Sequence, residues 1–215
     1  MGNGTVTSPL PHSEDLKAIV FDLDGTLYRE DRLGDEVNQS AIRYVAALRQ
    51  VDMIDAEAML QRARAESRDG GTLSRSVEAL GGNLPEMHRR FAADIHPEEF
   101  LKRDERVPKL LKLLATRFGL YLYTNNNRDL SGRIMARLGV TGLFREIFTI
   151  EDYWLPKPDS KLITDILTKI AVKPAEALFV GDRYEVDLMV PESMGCPIFE
   201  SQTVEELLTL EQLVH

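Results

Sequence analysis

Cysteine is nearly missing from this 215-residue chain, which carries a single one, Cys196. One thiol closes no internal disulfide and, with no second cysteine nearby, makes no zinc site; Cys196 is expected to be a small buried hydrophobe just before a strand. Positive charge is also scarce, with 26 lysines and arginines against 35 acids and a formal net charge of −9. Such a balance repels nucleic acid, and the one arginine-rich stretch has acids mixed into it, so no nucleic-acid partner is expected. No window approaches the roughly 18 uninterrupted apolar residues of a membrane span. The opening "MGNGTVTSPLPHSED" has neither the basic nor the apolar region of a secretory signal, and Val6 stands where a myristoylation signal needs Ser or Thr. These absences point to a cytoplasmic protein with no membrane partner, whose residues 1–12 form a flexible tail. Internal repeats and low-complexity tracts are lacking as well.

With 43% hydrophobic and 28% charged residues, the chain is long enough for one sizeable core and a smaller appended unit. Its most informative stretch is "KAIVFDLDGTLYRE", Lys17 to Glu30. The apolar, β-favouring run Ala18-Ile19-Val20-Phe21 ends in Asp22, and Asp24, Gly25 and Thr26 follow. From about Asp35 to Phe100 the pattern is helical: "NQSAIRYVAALRQV" spaces Ile42, Val45, Ala46 and Leu48 as one helix does, and "DAEAMLQRARAES" and "LPEMHRRFAADI" read as two more. Between those two, "RDGGTLSRSVEALGGN" reads as a short helix held by two Gly-Gly turns. From Val107 helices and strands alternate: "VPKLLKLLATRF", then the strand "GLYLYT"; "RDLSGRIMARLGV", then "REIFTI"; "DSKLITDILTKIAV", then "EALFVGD"; and "YEVDLMVPESMG", a helix despite Pro191, then "CPIFE". Apolar strands alternating with helices indicate an α/β fold with a parallel sheet covered on both faces. The helical segment interrupts that fold after its first strand, above the sheet edge where open α/β proteins bind ligands.

"DLDG" is not an EF-hand loop, because the twelfth position counted from Asp22 is Leu33 rather than the bidentate Glu required there. A polar turn explains Gly25 and Thr26 taken alone, but not the matching polar residues elsewhere. "GLYLYT" ends at Thr124, before Asn125 and Asn126; "ALFVGD" ends at Asp182, with Asp187 five residues on; Lys157 follows "REIFTI". Parallel strands present their C-terminal ends at one edge, so Asp22, Asp24, Thr124, Lys157 and Asp182 are expected to converge on one crevice. Several carboxylates in one crevice need a cation among them, and an oxygen-only donor set suits Mg²⁺. Metal and Lys157 together would supply the positive charge for a phosphate.

Taken in order, Asp22-x-Asp24-Gly25-Thr26, Thr124, Lys157 and Gly181-Asp182-x₄-Asp187 resemble the four motifs of the haloacid dehalogenase (HAD) superfamily, in its phosphatase branch with a helical cap between the first and second motifs. The likeness runs from Lys17 to Phe199. It implies a Rossmann-like parallel sheet from residues 13–30 and 105–215, with a small all-helical cap at 31–104. It also implies that Asp22 is a nucleophile forming an aspartyl-phosphate, and that Asp24 is the acid and base, its backbone carbonyl touching Mg²⁺. Thr124, backbone N–H groups around Asn125, and Lys157 would bind the phosphate, while Asp182 and Asp187 would join Asp22 and Asp24 around the metal. A dehalogenase displacing halide needs no proton donor, so Asp24 favours phosphate-ester chemistry.

The expected activity is Mg²⁺-dependent hydrolysis of a small phosphorylated metabolite, such as a nucleoside monophosphate or sugar phosphate, by a monomer or homodimer. A phosphomutase on the same core and a non-catalytic phospho-ligand-binding module are the alternatives; intact Asp22, Asp24 and Lys157 speak against the second. In the insertion, Arg62, Arg64, Arg68 and Arg75 are each read as solvated helix-face charges beside Glu66 and Asp69, although the mid-cap segment could reach the substrate. The cap and the form "DLDGTLY" also resemble, more weakly, the pyrimidine 5′-nucleotidase-like branch. Tyr28 is assigned to packing of the hinge, and His88 and His96 to surface or capping positions. Arg183 is left open between reaching the site and pointing outward.

Overall fold

The computed structural model describes residues 14–67 and 71–214. The tail expected at residues 1–12, together with Arg68 and Asp69, lies outside the described residues. The chain enters through β1 (Ala18–Phe21) and passes through the helices α1 (Asp31–Arg49), α2 (Met53–Glu66), α3 (Leu73–Ala79), α4 (Leu84–Asp94) and α5 (Pro97–Phe100). It then alternates: α6 (Arg106–Leu114), β2 (Gly119–Tyr123), α7 (Arg128–Leu138), β3 (Glu146–Phe148), α8 (Ser160–Lys169), β4 (Ala177–Gly181), α9 (Met189–Ser193), β5 (Ile198–Glu200) and α10 (Val204–Leu208). The strands lie in the order β3-β2-β1-β4-β5, and each neighbouring pair is parallel.

The helix starts are written locally. Asp52, Asn83 and Asn127 each accept a backbone N–H three residues on, at 2.9, 2.9 and 2.8 Å, and Asp159 takes those of Lys161 and Leu162. These side chains satisfy donors that the first helical turn leaves open.

β1 is the centre of the sheet, and its residues alternate between two cores. Ile19 and Phe21 join the larger cluster, with Leu111, Leu114, Leu122 and Ile134, where Phe21 meets Phe144 edge-to-face at 6.2 Å. Ala18 and Val20 join the second, with Ile163, Ile166 and Phe179. Both faces of the centre are therefore covered, as continuous apolar strands require.

Full coverage stops at the edges: Glu146 and Ile147 of β3 are half-buried and Glu200 of β5 is exposed, because an edge strand has a neighbour on one side only. Leu48, one of the residues at helical spacing, is exposed near the far end of α1. The helix expected from Tyr184 opens instead as a π-helical turn, Tyr184–Leu188, before α9. α5 and α10 have no counterpart in the periodicity, being four and five residues long. Cys196 is buried beside β5, and burial pushes its thiol pKa up to about 11.

The helical segment is tied down at several points. Arg75 of α3 donates from Nη2 to the carbonyl oxygens of Pro156 and Pro158, at 3.1 and 2.5 Å, and Asn127 donates to that of His88 at 2.9 Å. Arg75 is thus a strut between the insertion and the loop that carries Lys157, not a solvated charge. Among the described residues no helix is long and apolar enough to cross a membrane.

Double coverage of β1 has a measurable signature. Ile19→Ala is expected to destabilise the fold by about 2–5 kcal/mol and Val20→Ala by at least about 1.5 kcal/mol in urea unfolding. A near-neutral result for either would mean that one face of the centre is not packed.

Candidate active site

The sheet register sets the site. Phe21, the last residue of β1, pairs with Leu122 of β2 and Val180 of β4, so the residues that follow those strands come out on one edge. Asp22 stays in the sheet's hydrogen bonding, its N–H donating to the Val180 carbonyl at 2.8 Å, and Thr124 donates likewise to Phe148 at 3.0 Å. Lys157 arrives from the loop after β3 and is fixed at its backbone, where its N–H donates to Asn125 Oδ1 at 2.8 Å.

Lys157 is buried with its Nζ 2.7 Å from Asp22 Oδ1 and 3.0 Å from Asp187 Oδ1, and 4.5 Å from the centre of the Tyr123 ring. Burial works against the ammonium, but Asp187 and Asp22 outweigh it, and the net effect raises the pKa of Lys157. Asp22 responds oppositely: burial pushes its pKa up to about 7 although Lys157 pulls it down, with Asp187 and Asp24 adding to the rise. Its second oxygen, Oδ2, accepts from Thr26 Oγ1 at 3.1 Å. Asp187 is aimed inward by the π-helical turn; its Oδ2 accepts the Arg183 N–H at 3.2 Å. Gly181 leaves room for it, since a Cβ there would sit 2.4 Å from Asp187 Cβ.

Two residues after Asp22, Asp24 points into a different environment. Its Oδ1 accepts from Tyr28 Oη at 2.5 Å, and its Oδ2 from Asn126 Nδ2 at 2.7 Å and Thr124 Oγ1 at 3.4 Å. Burial raises its pKa, against the lowering by the Tyr28 and Asn126 hydrogen bonds. Gly25, at φ +83°, turns the chain beside it, where a Cβ would lie 2.3 Å from Asp182 Oδ2.

The carboxylates of Asp22, Asp182 and Asp187 each offer one oxygen within 4.8 Å of the others. Asp182 Oδ1 is buried without a hydrogen-bond partner, and burial followed by Asp187 raises the pKa of this carboxyl. An oxygen-only set with an orphaned lone pair suits a hard divalent cation. The Asp24 carboxylate is turned away from this set, toward Tyr28 and Asn126.

Asp24, Asn126 and Asp182 line a cleft of about 610 Å³ between the sheet edge and the helical segment. Several of its residues differ from the sequence reading. Tyr28 is buried as expected of a packing residue, yet its hydroxyl holds Asp24. His88 is buried in the wall of the cleft rather than on the surface, against Phe91 and Trp154, and burial lowers its pKa to about 4. His96 is exposed, as expected, beside Arg133. Arg64 lines the cleft, and the exposed Arg183 reaches its mouth. Asn126 was visible only as a neighbour of Thr124, and the i, i+4 relation of Asp24 and Tyr28 was the available signal for that pair.

Residues 16–195 match the family model for haloacid dehalogenase-like hydrolases. Among curated relatives, a glyceraldehyde 3-phosphate phosphatase of Methanopyrus kandleri is 28% identical over 192 residues, covering 80% of this chain and 78% of that protein. The pyrophosphatase PpaX of Bacillus velezensis is 25% identical over 178 residues, 83% and 79% of the two chains. Among solved structures, a HAD phosphatase from Thermococcus onnurineus aligns with a TM-score of 0.60 at 19% identity, covering 91% of this chain and 97% of that one, which is a likeness of fold.

Removing the buried cation tests the electrostatics directly. Lys157→Met strands two buried carboxylates and is expected to cost about 3–5 kcal/mol in urea denaturation. The folded pKa of Asp22 already lies above its unfolded value, so its ionisation removes stability as pH rises, and losing Lys157 steepens that fall. The deficit should therefore be larger near pH 8.5 than near pH 5.5; equal deficits would contradict the arrangement.

Proposed function

The chain belongs to the haloacid dehalogenase-like hydrolase family, and from that premise we propose that it is a Mg²⁺-dependent phosphatase of a small phosphorylated metabolite. The observation that carries this reading is the division between two carboxylates two residues apart: Asp22 faces Lys157, Asp187 and Asp182, while Asp24 faces Tyr28, Asn126 and Thr124. In this proposal Asp22 attacks phosphorus while the ester P–O bond breaks and Asp24 gives its proton to the leaving alkoxide. Asp24 then takes a proton from the water that attacks the aspartyl-phosphate, and the P–O bond to Asp22 breaks to release inorganic phosphate. Burial, which favours the protonated form of Asp24, supports the first role. Lys157 neutralises the nucleophile and incoming phosphate together, and the Thr124 hydroxyl and backbone N–H groups around Asn125 hold phosphoryl oxygens. Asp22, the Asp24 carbonyl, Asp182 and Asp187 would hold Mg²⁺, which when bound neutralises the phosphoryl oxygens.

We read residues 31–104 as the cap of a core formed by 13–30 and 105–215, supported by the run of helices between β1 and α6. Relatives named for glyceraldehyde 3-phosphate and for pyrophosphate support a small substrate. A haloacid reading is less favoured, because halide leaves without the proton that Asp24 is built to give.

Phosphate release from a panel of phosphate esters and nucleotides should require Mg²⁺, stop with EDTA, and fall at least about a thousandfold in Asp22→Asn. Turnover that survives the substitution would sink the covalent mechanism. Tyr28→Phe offers a finer probe. Loss of a hydrogen bond that lowers the pKa of Asp24 raises that pKa, so the alkaline limb of kcat/KM against pH, where Asp24 loses its proton, should move to higher pH. A limb that stays put or moves down would dissociate Asp24 from proton donation.

A further inference from the structure

The wall of the cleft opposite the carboxylates comes from the helical segment and contains Asn38, Arg64 and His88. Arg64 sits in the last turn of α2, where a cation suits the helix dipole. That explanation leaves two features over. The dipole favours a cation at this position but supplies no acceptor for the Nε–H of Arg64, which is buried without one. The guanidinium also meets only a neutral partner, donating from Nη2 to Asn38 Oδ1 at 2.6 Å, and among the described residues no carboxylate pairs with it. Burial, then Arg183, lowers its pKa. Neither of the other arginines of the cleft supplies a counter-ion, and Arg183 is near enough to repel Arg64. Arg29 lies 3.9 Å from Asp182, and Arg183 donates from its backbone to Asp187. The acids on the rim do not fill the gap: Glu30 is held by Arg32 through two bonds of 2.8 Å, and Asp31 and Asp35 are exposed.

His88 adds an independent observation in the same wall. It is 2% exposed, and neither ring nitrogen has a partner. A neutral imidazole offers one donor and one acceptor, and leaving both unmet in a buried wall is costly unless a ligand meets them.

We propose that this wall is a subsite for a second anionic group on the substrate: Arg64, steadied by Asn38, pairs with a carboxylate or a second phosphate, and His88 hydrogen-bonds the same ligand. The substrate class is then a phosphomonoester or phosphoanhydride carrying another negative charge, rather than one with a neutral tail. This rests on the phosphatase reading above and narrows it. A half-buried guanidinium with no carboxylate partner discriminates, because a neutral tail leaves it without a counter-ion.

The test is a ratio. kcat/KM is measured for a phosphorylated carboxylic acid, for inorganic pyrophosphate, and for the neutral-tailed p-nitrophenyl phosphate, in the wild type, Arg64→Gln, Arg64→Lys and Arg62→Gln. Arg62 is exposed on the same helix and stands outside the cleft, so its variant controls for net charge. In the wild type at least one two-anion substrate should be favoured at least tenfold over p-nitrophenyl phosphate. Arg64→Gln should cut that preference at least tenfold, Arg64→Lys should keep part of it, and Arg62→Gln should leave it as it is. Carboxylate and pyrophosphate arms separate the two sources of the anion. A wild-type preference for the neutral tail, or a ratio that Arg64→Gln leaves within threefold, overturns the subsite while leaving the phosphatase reading intact. Should no ester turn over, that reading has failed, and calorimetric titration of the wild type and Arg64→Gln with the same two-anion compounds still decides the subsite: tighter binding by the wild type supports it, and equal or absent binding overturns it.

Discussion

The buried contact of Lys157 with Asp22 and Asp187 is the constraint on which the rest of the structure turns. It joins residues 135 and 30 positions apart in sequence, so it exists only if the sheet has formed in its full order. Buried ions are seldom net stabilisers, because desolvation consumes most of what their attraction returns. Here the apolar packing on both faces of β1 supplies the stability, and the ion cluster is held against its own desolvation cost. Asn125 pins the backbone of Lys157, and Arg75 grips the loop on either side of it through Pro156 and Pro158. Asp187 is reached only by the wide π-helical turn over Gly181. Each of these devices costs regularity somewhere, and each ends at the same ammonium group.

Asp22 and Asp24 illustrate how environment, not residue type, assigns chemistry. Both are carboxylates, both are raised by burial, and only two positions separate them. Asp22 remains within the sheet's hydrogen bonding and so points at whatever the neighbouring strands deliver, which is a lysine and two further acids. Asp24 lies past the point where the chain leaves the strand, and Gly25 lets it turn toward a tyrosine and an asparagine. A Cβ at that glycine would collide with Asp182, so one residue sets both the turn of the Asp24 segment and the closeness of the acidic cluster.

Much of this was legible in the sequence, because it depends on chain order. A strand that ends in an acid places that acid at the C-terminal edge, and parallel order brings four such ends together whatever the details of the helices. The positions that escaped reading depend instead on which way a side chain turns. His88 looked peripheral because "LPEMHRRFAADI" shows only that one face of α4 is apolar, not that His88 lies between Phe91 and Trp154. Arg64 and Arg75 occupy the same arginine-rich stretch, yet one lines the cleft and the other clamps a loop. Helical periodicity gives the angle between residues on one element; it does not say what that element faces. The hydroxyl of Tyr28 was missed for a similar reason, since a buried tyrosine satisfies packing before its Oη is located.

The charge of the whole chain gives those turned-in arginines their weight. At a net −9, the protein's far field discourages the approach of any anion. An anionic substrate must therefore be held by groups that act at short range, inside walls that exclude water and let the local charge prevail over the distant excess. Lys157 meets that need at the sheet edge, where its charge is answered by Asp22 and Asp187. Among the described residues no carboxylate answers Arg64, which belongs to the segment following β1 rather than to the sheet. On the proposed reading the sheet carries a self-neutralised centre for one phosphoryl group, and the inserted helices add a cation that no carboxylate answers among the described residues. Changing the inserted segment would alter which molecules are attracted while leaving the centre as it is, and that separation follows from where the chain places its one interruption.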